Sequence, residues 1–179
     1  MRWVCSVLVG LAAAGAAEAQ VVWVGGAAAT TWEVDAASAG NERFAGSGEI
    51  APVLFVAFPL DDVTLVRLQG ADLPRSITYG GEAWNGRMRA LTLGVDYFFR
   101  GTFGRTVLSA GLGSYRMDLE ATQPPPGSES AEFGWYVGFG EWFQLFERTC
   151  VTAEIAMHRT NHDDTPVVLS AMLGLTVSF

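Results

Sequence analysis

The sequence predicts an all-β chain, an eight-stranded antiparallel up-and-down barrel that crosses a membrane, and three observations carry that expectation. Half of the 179 residues are hydrophobic, yet no stretch beyond the first nineteen holds the roughly 18 consecutive apolar residues that a spanning helix needs. The apolar residues recur instead with period two, the spacing of a strand. The connections between these alternating segments run strictly long, then short.

Residues 1–19 read as a cleaved secretory signal. Arg2 supplies an early positive charge, an apolar run follows from Trp3 to Ala17, and Ala17-Glu18-Ala19 offers the small-x-small cleavage pattern. The remaining domain, 20–179, keeps 10 basic residues against 18 acidic ones once Arg2 and Glu18 are removed. That balance excludes a nucleic-acid partner, which demands a basic footprint. Cys5 leaves with the signal and Cys150 stands alone, so no disulfide can form within the processed chain. Cys5 also precedes the apolar run, which argues against a lipid anchor.

Eight alternating segments follow in order. Val22 to Val34 and Ile50 to Phe58 are the faintest. In Asp62 to Gln69, Thr64, Val66 and Leu68 oppose Leu65, Arg67 and Gln69; in Leu91 to Arg100, Leu91, Leu93, Val95, Tyr97 and Phe99 oppose Thr92, Gly94, Asp96 and Phe98. Thr106 to Tyr115 sets Leu108, Ala110 and Leu112 against Ser109, Gly111 and Gly113. Phe133 to Gln144 sets Phe133, Trp135, Val137 and Phe139 against Gly134, Tyr136, Gly138 and Gly140. Thr149 to Thr160 sets Val151, Ala153, Ile155 and Met157 against Thr152, Glu154, Ala156 and His158. Val167 to Phe179 ends the chain with Leu169, Leu173, Leu175 and Val177 opposite Ser170, Gly174, Thr176 and Ser178. The long connections are 35–44, 71–87, 120–131 and 159–166, rich in Gly, Pro, Asn and Asp. Three short ones, 59–61, 101–105 and 146–148, join the strands at the other end.

A soluble barrel would turn its apolar face inward around a ligand, and a membrane barrel turns it outward to lipid. The non-apolar faces here carry Gly, Ser, Thr and Ala rather than the Lys, Glu and Gln of a water-facing sheet, so the lipid orientation is favoured over a soluble periplasmic ligand-binding barrel. Closure also leaves no unpaired backbone in hydrocarbon. Trp32, Trp84, Trp135, Tyr97, Phe99, Trp142, Phe143 and Phe179 lie near strand ends, where interfacial aromatic girdles sit.

With these residues in hand, the chain resembles the small eight-stranded outer-membrane β-barrel proteins of Gram-negative bacteria. The end of the chain is similar to the terminal insertion signal of that class, with Gly174, Val177 and Phe179 in place and Met172 where a polar residue is usual. The resemblance implies a porin-like fold in the outer membrane of the cell envelope, with both termini periplasmic and four long loops outside. It also implies insertion by the outer-membrane assembly machinery and contact with outer-membrane lipid and lipopolysaccharide, as a monomer.

Parity places Arg67, Gln69, Asp96, Glu154 and His158 inside. Ionisable groups at that depth require partners, and Arg67, Asp96, Glu154 and His158 are expected to form a polar network that plugs the lumen. No enzyme, cofactor or metal is expected. The one stretch that suggests catalysis is His158-Arg159-Thr160-Asn161, which resembles the His-x-Ser-Asn motif of outer-membrane lipid A deacylases. Thr160 replaces the serine, no glutamate follows, and parity turns His158 and Thr160 away from lipid. His162, Asp163 and Asp164 lack the fixed geometry of a metal site and read as a solvated loop. Glu141 and Arg116 fall on the lipid-facing parity, where a buried arginine would cost about 2–4 kcal/mol, so each is expected at an interface.

Overall fold

The computed structural model describes residues 21–34, 44–46, 49–79, 82–101, 104–119, 131–160 and 167–179. The signal segment therefore lies outside the described residues, as do His162, Asp163, Asp164 and nearly all of the third long connection. Among the described residues nine strands are seen: β1 (Trp23–Val34), β2 (Phe44–Gly46), β3 (Ala51–Pro59), β4 (Thr64–Tyr79), β5 (Glu82–Arg100), β6 (Arg105–Leu119), β7 (Ala131–Phe146), β8 (Thr149–Thr160) and β9 (Val167–Ser178). Every pairing is antiparallel. β1 and β3 to β9 pair in chain order, and β9 returns to β1 from Trp23↔Ser178 to Val34↔Val167, which closes an eight-stranded barrel. The terminal residue is tied in as well, through paired backbone bonds between Val22 and Phe179.

β2 was not expected. It pairs with β1 from Trp32 to Val34, beyond Ala29, where the β1–β3 ladder ends, so it continues the β3 position after a break. A larger departure concerns 71–87, which composition marks as a loop. β4 and β5 remain paired from Thr64↔Tyr97 to Tyr79↔Glu82, so this segment is a long hairpin. Its Gly, Pro and Asn disguise it, yet Pro74 and Gly86 are paired within the ladder and buried beside the core residues Leu73 and Met88.

The inside and outside of the wall follow the alternation. Outward-facing Leu93, Phe139 and Leu173 expose 59%, 54% and 62% of their surface, while inward-facing Arg67 and Asp96 expose none. That inversion of a water-soluble protein is the signature of a barrel whose solvent is hydrocarbon. Tyr97 and Phe99 stack edge-to-face on the outside near the short-turn end, as a girdle would. Trp142 corrects the expected girdle: it turns inward and is almost fully buried, because it falls on the even parity of β7 shared with Tyr136 and Gly140. The side chain of Trp84 is not among those described.

Glu141 and Arg116 keep their outward parity. Glu141 lies near the short-turn end of β7, accepts a bond from the Thr106 hydroxyl beside it, and precedes the β7–β8 register shift between Gln144 and Phe146. Arg116 lies near the other end of β6, paired with Asp118.

Candidate functional site in the barrel interior

The interior is filled in three tiers. Towards the chain termini, Phe55, Phe98 and Trp142 cluster with Trp23; the Trp142 ring lies 5.7 Å from Trp23 and 5.1 Å from Phe98, both edge-to-face. Towards the long connections, Leu73, Met88, Tyr115, Val168 and Met172 form a second apolar cluster. Arg67 and its partners occupy the space between.

Arg67 can reach across the barrel because its cross-strand neighbour on β5 is Gly94. Its two terminal nitrogens donate to both oxygens of Glu154, each at 2.8 Å, the bidentate fork that makes such pairs strong. Ser109 on β6 donates to the same carboxylate at 2.8 Å. Asp96 approaches the guanidinium at 3.1 Å as an ion pair, without the alignment of a hydrogen bond. The Phe55 and Tyr136 rings flank the guanidinium, with centroids 5.5 and 5.9 Å from its carbon. Strands β3 to β8 thus all contribute to one buried cation.

Glycine supplies the room for these large groups. A Cβ on Gly25 would meet the Phe55 ring at 2.1 Å, one on Gly94 the Tyr136 hydroxyl at 2.2 Å, and one on Gly138 the Ser109 hydroxyl at 2.3 Å. The inward glycines of the sequence are therefore the sockets that receive these side chains.

Of the four residues expected in one network, Arg67, Asp96 and Glu154 do meet. His158 is buried beside them but bonds elsewhere: its Nε2 is 2.9 Å from the Ser170 hydroxyl and its Nδ1 3.3 Å from the Tyr115 hydroxyl. The hydroxyls that His158 engages are thus those of Ser170, on the neighbouring strand, and of Tyr115 on β6. Thr160 is buried on the same inner face of β8, so neither residue of the deacylase-like motif faces the lipid side of the wall. Gln69 is inside, with its side-chain oxygen unbonded. Ser109, Tyr136 and Phe55 were not singled out from sequence; a Gly at the cross-strand position of Tyr136, namely Gly111, was the available sign.

The chain has the fold of small eight-stranded outer-membrane β-barrels. Neisserial surface protein A superposes with a TM-score of 0.67 at 14% identity, over 88% of this chain and 97% of that one. The N-terminal β-barrel domain of Pseudomonas aeruginosa OprF gives 0.57 at 16% identity, over 88% and 97%. The attachment invasion locus protein Ail of Yersinia pestis, in complex with the heparin analogue sucrose octasulfate, gives 0.55 at 14% identity, over 89% and 99%. No family model and no curated protein sequence matches the chain. The likeness therefore rests on architecture, which these proteins share at sequence identities too low to carry residue roles across.

Proposed function

We propose that this protein is a monomeric, non-enzymatic outer-membrane β-barrel whose lumen is closed by side chains and whose role is structural or interactive, carried by the long connections. The fold, and the outward apolar belt, support the bacterial outer membrane as its place. In this reading both termini face the periplasm, the long connections face outward, and the wall contacts outer-membrane lipid and lipopolysaccharide. Gly174, Val177 and Phe179 are the signal read by the assembly machinery; Phe179 is exposed at the closing strand's end, accessible to such a reader.

The observation that carries the plug is the Arg67–Glu154 fork, which joins β4 to β8 through the centre of a barrel only wide enough for side chains to fill. Recording from the refolded protein in planar bilayers tests it. Silence, or brief small events, is expected, and stable large conductance steps would refute the plug. Mass spectrometry of lipid A from expressing cells tests the absence of catalysis, since loss of an acyl chain would make it an enzyme.

A further inference from the structure

At its short-turn end the barrel opens into a cavity of about 800 Å3, a volume in the range of small-molecule sites. The floor of this cavity is aromatic: Trp142, Phe98 and Trp23 line it, with the Trp142 ring edge-to-face against both of the others. Trp142 is only 4% exposed, yet its indole N–H has no acceptor among the described residues. An indole nitrogen can only donate, and a buried donor left unpaired is costly. An oxygen on whatever fills the cavity would complete it.

The rim carries charge of one sign. Asp61, Asp62 and Glu147, all exposed, line it from the β3–β4 and β7–β8 turns, and Arg105 is the one cation among the described lining residues. Two of these four groups are already engaged. Asp61 accepts the Val63 N–H at 2.9 Å. Arg105 lies over the Phe98 ring, 4.6 Å from its centroid, and donates to the main-chain carbonyl of Asp62 at 2.6 Å. The Asp62 and Glu147 carboxylates have no ion-pair or hydrogen-bond partner among the described residues. Three carboxylates against one guanidinium leave the rim negative, and the free face of Trp23 below it attracts positive charge as well. An anion would meet Asp62 and Glu147 first.

We propose that this cavity binds small aromatic monoamines. The ring seats against Trp23 and Trp142, an oxygen on it accepts from the Trp142 indole, and the ammonium stays at the rim with Asp62 and Glu147. That the mouth faces the periplasm rests on the reading of the chain as a membrane barrel with periplasmic termini; the cavity and its charge do not.

The test uses the refolded barrel, isotope-labelled at its tryptophan indoles, in nanodiscs of dimyristoyl phosphatidylcholine, where no detergent competes. Tyramine at neutral pH is the probe. The indole N–H signals of Trp23 and Trp142 report on the cavity, and those of Trp32, Trp84 and Trp135 on the rest of the chain. Saturable shifts confined to Trp23 and Trp142 are expected, and para-hydroxyphenylacetate, with a similar body and the opposite charge, should bind about tenfold more weakly. Asp62→Asn with Glu147→Gln keeps the main-chain bonds that these residues make to Arg105 and Gln144. The pair should weaken tyramine about tenfold, the scale of two exposed charge contacts, and leave the neutral para-ethylphenol unchanged. Asp118→Asn, at the far end of the barrel, should leave tyramine binding unchanged. No saturable shift of Trp142, the sign of water alone in the cavity, would overturn the site, and so would shifts shared by every indole, the sign of partition into the bilayer. Equal affinity for the two charges, or no loss in the double variant, would overturn the cation assignment. Failure of the barrel reading is separate and shows as no folded, heat-modifiable band on a detergent gel.

Discussion

The two faces of β5 show how one strand serves two solvents. Its odd residues, Leu91, Leu93, Val95, Tyr97 and Phe99, are exposed and apolar; its even residues, Thr92, Gly94 and Asp96, are buried and small or polar. Outside, the energetics is that of transfer into hydrocarbon, so identity matters little beyond being apolar. Inside, each residue has named partners, and the cost of change depends on what is left behind. The lesson is that the disposable and the indispensable positions alternate along the same strand.

The largest break in that contrast should come from Arg67→Met. It leaves the Glu154 and Asp96 carboxylates buried without their cation, and loss of one partner of a buried pair costs about 3–5 kcal/mol. Urea unfolding of the protein in bilayers, followed by tryptophan emission, reads this. A smaller loss is expected from Leu93→Arg on the outer face, about 2–4 kcal/mol if the residue lies near the bilayer midplane, whereas Leu93→Val should cost little. Gly25→Ala should cost about 1–3 kcal/mol by pressing on the Phe55 ring, and Phe55→Leu in the same chain should recover part of the loss.

Within the interior network the comparison sharpens further. Glu154→Gln removes one half of a bidentate pair, whereas Asp96→Asn removes a charge that makes no aligned hydrogen bond. The first should therefore destabilise more than the second in the same unfolding assay. The smallest effect belongs to the turn between β3 and β4, where the Asp61 carboxylate is held below its ordinary titration range by the Val63 N–H and the Thr64 side chain. A lowered value means that this contribution is present above the ordinary carboxylate range and fades as pH falls through the lowered one. Asp61→Asn should remove that acid dependence and little else.

Much of this was legible in the chain. Period two identified all eight wall strands, and parity alone set Arg67, Asp96, Glu154 and His158 inside, because a strand has only two faces and one of them was apolar. The 71–87 hairpin was not legible: Pro74 and Gly86 are strand breakers by composition and read as loop, although both sit in paired strands whose Leu73 and Met88 are core. Which interior residues touch was also hidden, since it depends on stagger around the barrel. Parity could not tell that His158 would turn to Ser170 and Tyr115 while Glu154, four residues earlier, reached Arg67.

The inversion of inside and outside is the claim on which everything else stands, and a scan of residues 91–99 tests it most directly. Single cysteines placed along this stretch in a Cys150→Ala background, each carrying a fluorophore, are exposed to nitroxide quenchers attached to lipid chains. The account predicts strong quenching at 91, 93, 95, 97 and 99 and protection at 92, 94, 96 and 98. Quenching at the even positions, or protection from lipid at all nine, would contradict it.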